Sequence, residues 1–270
     1  MRLRWLAFYP LLFAVAFVAL ALLLKGDLTA LTHLVMGQKI VSRVLALAGC
    51  LWAVSVFKRG DELRWAWGWL AVNTALVLTR DVLMASSLPP AGTLTWLTPG
   101  LVVASNVVLP IGIWILVRSW KHAALDMMGK SSWAVTLGVV LLALVVGGPA
   151  VLEYGRALLA IDDGGLLVGN GEALPHFVSA VADTLCFCLL GQLLLAAIEL
   201  RGGLLFWPWA LLTACLFSWM LFDVSSALEE SLHFQGPPLH EVFRGLAENL
   251  LCAAGVAQAL VIRQVQRIGS

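Results

Sequence analysis

Nine ionisable residues stand inside or at the edge of long apolar runs: His33, Arg43, Arg80, Asp81, His176, Asp183, Asp223, Arg244 and Glu248. A charged side chain within a membrane-crossing helix is costly and marks a functional site by default. At 1.5 Å per helical residue, Asp81 lies about 24 Å beyond Trp65, and Asp223 has the same spacing from Trp207. The same count sets Arg43, Asp183, Arg244 and Glu248 roughly 22 to 28 Å above the cytoplasmic edge where Trp65 and Trp207 stand, in the outer leaflet. His33 and His176 fall at the starts of their helices near the outer interface. The polar groups therefore share one layer in one leaflet. Arginines and carboxylates in such a layer can grip the polar head of a ligand. A carboxyl held among apolar walls and other acids can also exchange a proton as acid or base.

The layer is unevenly charged. The first half of the chain contributes Lys39, Arg43, Arg80 and Asp81, whereas the second contributes Glu153, Asp183, Asp223, Glu229, Glu230 and Glu248 with Arg244. Opposite charges are therefore expected to meet where the halves dock, because charge in a low dielectric must be paired and hydrogen-bonded. Asn73, Asn106, Gln192 and Asn249 lie deeper, as amides suited to hydrogen-bonding between helices.

Other chemistries find little support. No P-loop, dinucleotide fingerprint or paired-histidine zinc motif occurs. The five cysteines (Cys50, Cys186, Cys188, Cys215, Cys252) lie in apolar runs without metal-ligand spacing, as small buried hydrophobes do. No metal site is expected, and no cofactor or catalytic residue is assigned. Asp223-Val-Ser225-Ser226 with His233 or His240 holds hydrolase residue types but no nucleophile elbow. The stretch Asp162–Gly171 is Gly-rich yet lacks a phosphate-loop lysine. The last spans hold no lysine for a retinal Schiff base.

What positions these residues is a set of helices. The chain has 270 residues, 61% hydrophobic and 12% charged, with mean hydropathy +0.93, outside the range of water-soluble domains. Apolar runs near 5–24, 36–57, 65–85, 96–118, 133–154, 176–200, 204–227 and 241–263 are long enough to cross a hydrocarbon core of about 30 Å. Lys and Arg concentrate at one side (Arg2, Arg4, Lys58, Arg59, Arg64, Arg118, Lys121, Lys130, Arg201, Arg263, Arg267), which places both termini in the cytoplasm. The first run continues to Leu24 without a convincing cleavage site and reads as an uncleaved span. Trp5, Trp65, Trp67, Trp96, Trp120, Trp133, Trp207 and Trp209 fall at expected helix ends, where indole rings anchor in the headgroup layer. Pro110 and Pro149 are expected to kink their helices.

The chain also repeats itself. Arg59-Gly-Asp-Glu-Leu-Arg-Trp65-Ala-Trp67 and Arg201-Gly-Gly-Leu-Leu-Phe-Trp207-Pro-Trp209 share one frame at an offset of 142 residues. The same offset aligns Asp81 with Asp223, Leu70 with Leu212 and Gly49 with Gly191, and sets Val41 against Asp183 and Arg80 against Phe222. The frame reads as a tight glycine turn, a basic edge and an interfacial tryptophan anchor. The expected fold is thus an all-α polytopic membrane protein of eight transmembrane helices in two parallel four-helix repeats, 1–130 and 131–270.

The expected function is binding or sensing of an amphiphilic ligand, or of a membrane partner, through an outer-leaflet polar cleft between the repeats. An accessory subunit of a larger membrane complex fits this description. A small-solute or lipid transporter, and an intramembrane enzyme acting on a lipid or isoprenoid with acidic residues as acid and base, are the alternatives. Membrane lipids and another membrane protein are the expected partners, the bacterial inner membrane the expected location. The net charge of +1 gives no reason to expect nucleic acid.

Overall fold

The computed structural model describes residues 3–86, 94–123, 130–159, 173–232 and 238–268, and these are helical apart from short connections. A 3-10 turn, Leu3–Ala7, leads into α1 (Phe8–Leu23). It is followed by α2 (Leu28–Val56), α3 (Glu62–Ala85), α4 (Leu94–Ala123), α5 (Lys130–Leu158), α6 (Ala173–Glu199), α7 (Phe206–Ser231) and α8 (Leu239–Ile268). Seven of these helices are long and apolar enough to cross a membrane. The exception is α3, where Glu62, Arg64, Arg80 and Asp81 dilute the apolar run. A multi-pass membrane protein is the class these helices indicate.

The helices outrun their apolar cores. α2 begins at Leu28 rather than near 36, because Asp27 caps it by accepting from the Ala30 amide at 3.0 Å. The polar Gln38 and Lys39 then stay within the helix as tertiary contacts, which local hydropathy cannot anticipate. Pro110 and Pro149 lie inside α4 and α5.

Six helices form a ring in the spatial order α2, α3, α4, α6, α7, α8 and back to α2. α1 packs outside the ring against α8, and α5 packs outside it against α6. Contacts fix the directions. Gln38 meets Glu241, Ser42 meets Asn249 and Val56 meets Gln266, so α2 and α8 run parallel. Large apolar residues such as Leu12 and Val15 on α1, and Leu141, Val145 and Leu152 on α5, are exposed. That surface is costly in water and suited to lipid.

Small residues let α2 and α8 approach closely. A Cβ on Gly49 would lie 2.6 Å from the Cys252 carbonyl oxygen, and one on Gly255 would collide with the Gly49 carbonyl. A Cβ on Gly245 would strike the Gln38 amide. Such contacts replace the hydrophobic drive that lipid removes. Around the crossing the core is made of Ala46, Cys50, Ala53, Ala254 and Ala257, all at or near zero exposure. Cys186 and Cys215 are buried in the same core.

The recurring Arg-Gly turns are real turns. Gly60 (φ 101°) joins α2 to α3 and Gly202 (φ 90°) lies between α6 and α7, both in the left-handed region that glycine alone enters freely. The tryptophans divide. Trp5, Trp65, Trp96 and Trp133 are exposed near helix ends, as an interfacial anchor requires. Trp67, Trp120 and Trp209 are instead core residues, 1%, 6% and 8% exposed. Residues two apart on a helix point to nearly opposite sides, so Trp65 turns outward while Trp67 turns inward; in the second frame Trp209 is buried and Trp207 is half-buried, packed against the same core.

Gly255→Val should lower the unfolding midpoint in detergent, at a cost of about 1–3 kcal/mol, because only backbone stands in the way. Gly100→Val, where a Cβ meets nothing within 4 Å, should leave the midpoint unchanged.

Candidate functional site

Inside the ring lies a cavity of about 200 Å³, to which all six ring helices contribute lining residues. Leu70, Val77, Val102, Leu109, Ile113, Leu212, Leu216 and Leu251 form apolar walls. Polar groups come from α2 (Arg43), α3 (Asn73, Thr74, Arg80), α4 (Ser105, Asn106), α6 (Ser179, Asp183), α7 (Asp223) and α8 (Arg244, Glu248). Trp219 and Phe222 complete the lining from α7. Arg43 lies about four turns in from the start of α2, and Asn106 and Asp183 about three from the starts of theirs, whereas Ser179, Arg244 and Arg80 lie within about two turns of a helix end.

The arginines are anchored by acids. Arg43 is 1% exposed, one of the largest fully buried side chains. It pairs with Asp81 of α3, and its Nε donates to Glu248 Oε1 of α8 at 3.3 Å. Asp81 also accepts from Arg80 Nε at 3.0 Å and Nη2 at 2.9 Å. Toward the helix ends Lys39 reaches Glu241 at 2.9 Å, and Glu241 holds Arg244 through its Nε at 2.8 Å and its Nη2. The Arg244 guanidinium lies 4.9 Å from the Phe222 ring centroid, within cation–π range. Glu229 accepts from the His240 amide at 2.9 Å and meets its ring Nδ1, fixing the start of α8. Of the expected pairing between basic first half and acidic second half, Lys39–Glu241 and Arg43–Glu248 occur at α2 against α8, whereas Arg80 pairs with Asp81 and Arg244 with Glu241 inside their own halves.

Asp183 and Asp223 differ from these. Among the described residues neither has an ion pair, although both line a cavity that holds three arginines. Asp183 hydrogen-bonds Ser179, which in turn accepts from Asn106 Nδ2 at 3.1 Å across α4 and α6. The cavity is consequently bipolar, with guanidinium groups from α3 and α8 and, from α6 and α7, carboxyls that have no ion partner among the described residues.

Of the nine residues singled out in the sequence, Arg43, Arg80, Asp183, Asp223, Arg244 and Glu248 line the cavity. Asp81 is buried behind them, holding Arg43 and Arg80. His33 is exposed on α2, and His176 is exposed on α6, stacked on Tyr154 at 5.2 Å between centroids. Neither lines the cavity. The hydrolase residues do not assemble among the described residues: Ser225 donates to its own helix at Phe222 O and His240 is held by Glu229. His233 and the stretch Asp162–Gly171 lie outside the described residues. The amides do join helices, since Gln192 bonds Thr136 at 2.7 Å and Asn249 bonds Ser42 at 3.0 Å while accepting from Tyr9 of α1.

Sequence reasoning missed Ser179, Trp219 and Phe222 as lining residues. The available signal was helical spacing: Ser179 and Trp219 each stand four residues before a cavity aspartate and share its face. No family model matches the chain, and no curated protein or solved structure matches it either.

Breaking a buried ion pair by removing one partner costs about 3–5 kcal/mol, so Arg43→Leu should destabilise strongly. A double-mutant cycle of Arg43→Leu with Glu248→Leu should give a coupling above about 1 kcal/mol. Additive losses would show that the two side chains do not stabilise one another.

Proposed function

We propose that this chain is a membrane protein that binds an amphiphilic molecule, with the polar head in the ring cavity and the apolar part along its walls. The observation that carries the reading is one cavity built by six helices and lined by apolar residues on most sides, with charged groups converging on it. Ligand sites have this character, mostly apolar with a few placed polar groups. Its volume suits a head group better than a whole lipid. The molecule acts as a binding or sensing component, and an accessory subunit of a larger membrane complex fits the same reading.

We infer further that the two halves are a parallel duplication and that α3 is an eighth span. The neighbour relations support this. α2 on α3 and α3 on α4 recur as α6 on α7 and α7 on α8, and α2 against α8 recurs as α6 against α4. The positive-φ glycines Gly60 and Gly202 occupy the same place in the shared frame. α1 and α5 depart from the pattern, one on α8 and the other on α6. The cavity then lies on the pseudo-twofold axis, a common place for ligands in duplicated membrane proteins. The Lys and Arg distribution favours an orientation with the polar end outside and the Arg59 and Arg201 turns in the cytoplasm of a bacterial cell.

An intramembrane acid–base enzyme is the second reading, favoured by Asp183 and Asp223 facing one cavity without ion partners. The distinguishing experiment is native mass spectrometry of the protein released from its own membranes. Wild type should carry a discrete added mass that Asp183→Asn with Asp223→Asn removes while the variant stays folded. A bare wild-type mass, with no ligand regained on adding membrane lipid extract, would contradict the binding reading.

A further inference from the structure

We propose that the head group taken by the cavity is a zwitterion, with its ammonium on Asp183 and Asp223 and its anion on Arg80 and Arg244. The inference rests on the binding reading above and specifies its ligand class.

Charges of both signs share this cavity without pairing across it. Arg80 spends Nε and Nη2 on Asp81, and Arg244 spends the same two nitrogens on Glu241. Among the described residues Nη1 of each guanidinium has no protein acceptor, and both residues line the cavity. Each arginine is thus locked in place by a carboxylate behind it and keeps N–H donors for an anion in front, an arrangement suited to phosphate or carboxylate. Opposite in sign, Asp183 and Asp223 offer carboxyl oxygens from α6 and α7 with no cation bound to them. Ser179 and Asn106 steady Asp183 but carry no charge. Arginine and aspartate sharing a small apolar cavity gain by pairing, because attraction is strong where the dielectric is low. Here the acids of α2's neighbours take up the arginines, and the ring holds the remaining two carboxyls apart from them. A ligand carrying both charges completes both sets at once. A purely anionic head would leave the carboxyls facing like charge, and a purely cationic one would leave the Nη1 donors unfilled.

The aromatic lining agrees. Trp219 and Phe222 meet edge to face at 5.4 Å between centroids and stand on the same helix as Asp223. An ammonium near Asp223 would therefore have the Trp219 ring, four residues away on the same helix, as its aromatic neighbour, while the Phe222 ring already carries the Arg244 guanidinium.

The repeat frame explains how the acidic pole arises. Asp81 has Arg43 and Arg80 as partners. At the same offset the second half has Leu185 in place of Arg43 and Phe222 in place of Arg80, so Asp223 is the matching carboxyl stripped of both cations. Asp183 is added where the first half has Val41.

The test is calorimetric titration of the full chain in non-ionic detergent with four probes. These are a short-chain lipid with a phosphoethanolamine head, the matching phosphoglycerol lipid, the matching diacylglycerol, and free glycerophosphoethanolamine. The zwitterionic lipid should bind at least tenfold more tightly than the phosphoglycerol lipid. Asp183→Asn with Asp223→Asn should abolish that preference, while Arg80→Gln should weaken both phospholipids alike. Equal or tighter binding of the phosphoglycerol lipid, or of diacylglycerol, would overturn the zwitterion inference and leave the amphiphile reading standing. Free glycerophosphoethanolamine binding as tightly as its lipid would uphold the zwitterion and remove the amphiphile. No binding of any probe would overturn both.

Discussion

Arg43 sets the terms for the rest of the structure. A guanidinium 1% exposed at the centre of a helical ring can remain charged only if carboxylates surround it. Asp81 and Glu248 meet that requirement from two different helices, α3 and α8. Three helices are thereby tied at one depth by a single side chain. The glycines of α2 and α8 make the arrangement reachable, since a Cβ at Gly49 or Gly255 would push the two backbones apart. Lys39 with Glu241 extends the same seam toward the starts of the two helices, and Ser42 with Asn249 adds a hydrogen bond at the level of Arg43.

Seen from Arg43, the cavity has a structural side and an open side. Acids behind the arginines hold them in place and fix how their remaining donors point. Across the cavity Asp183 and Asp223 have no such counter-charge among the described residues. Packing alone gives no reason to retain two carboxyls there, because apolar replacements of similar volume are often neutral or stabilising. That difference separates residues that assemble the ring from residues free to meet a ligand.

Much of this was legible in the sequence because membrane helices advertise themselves by length and hydropathy. The charged layer was legible for the same reason, since ionised groups stand out against apolar runs. Its partition into pairs was not. Arg43 and Glu248 are separated by 205 residues, and nothing local distinguishes a paired aspartate such as Asp81 from an open one such as Asp223. Ends of helices were also hard to place, as α2 shows, because an Asp27 cap and buried polar contacts extend it past its apolar core. Trp67 and Trp209 looked like interfacial anchors because composition reports a residue's position along a helix more readily than the side it faces. His33 and His176 entered the site by depth alone, and depth says nothing about which face of a helix points inward.

The most direct measurement compares the unfolding stability of Asp81→Asn and Asp223→Asn in the same detergent. The two positions match in the shared frame and carry the same side chain, so composition and depth predict equal effects. Asp81→Asn should lose about 3 kcal/mol or more by leaving Arg43 under-compensated. Asp223→Asn should be neutral or more stable, since that carboxyl holds no cation among the described residues. Equal losses at both positions, or a larger loss at Asp223, would contradict the division into a structural side and an open side.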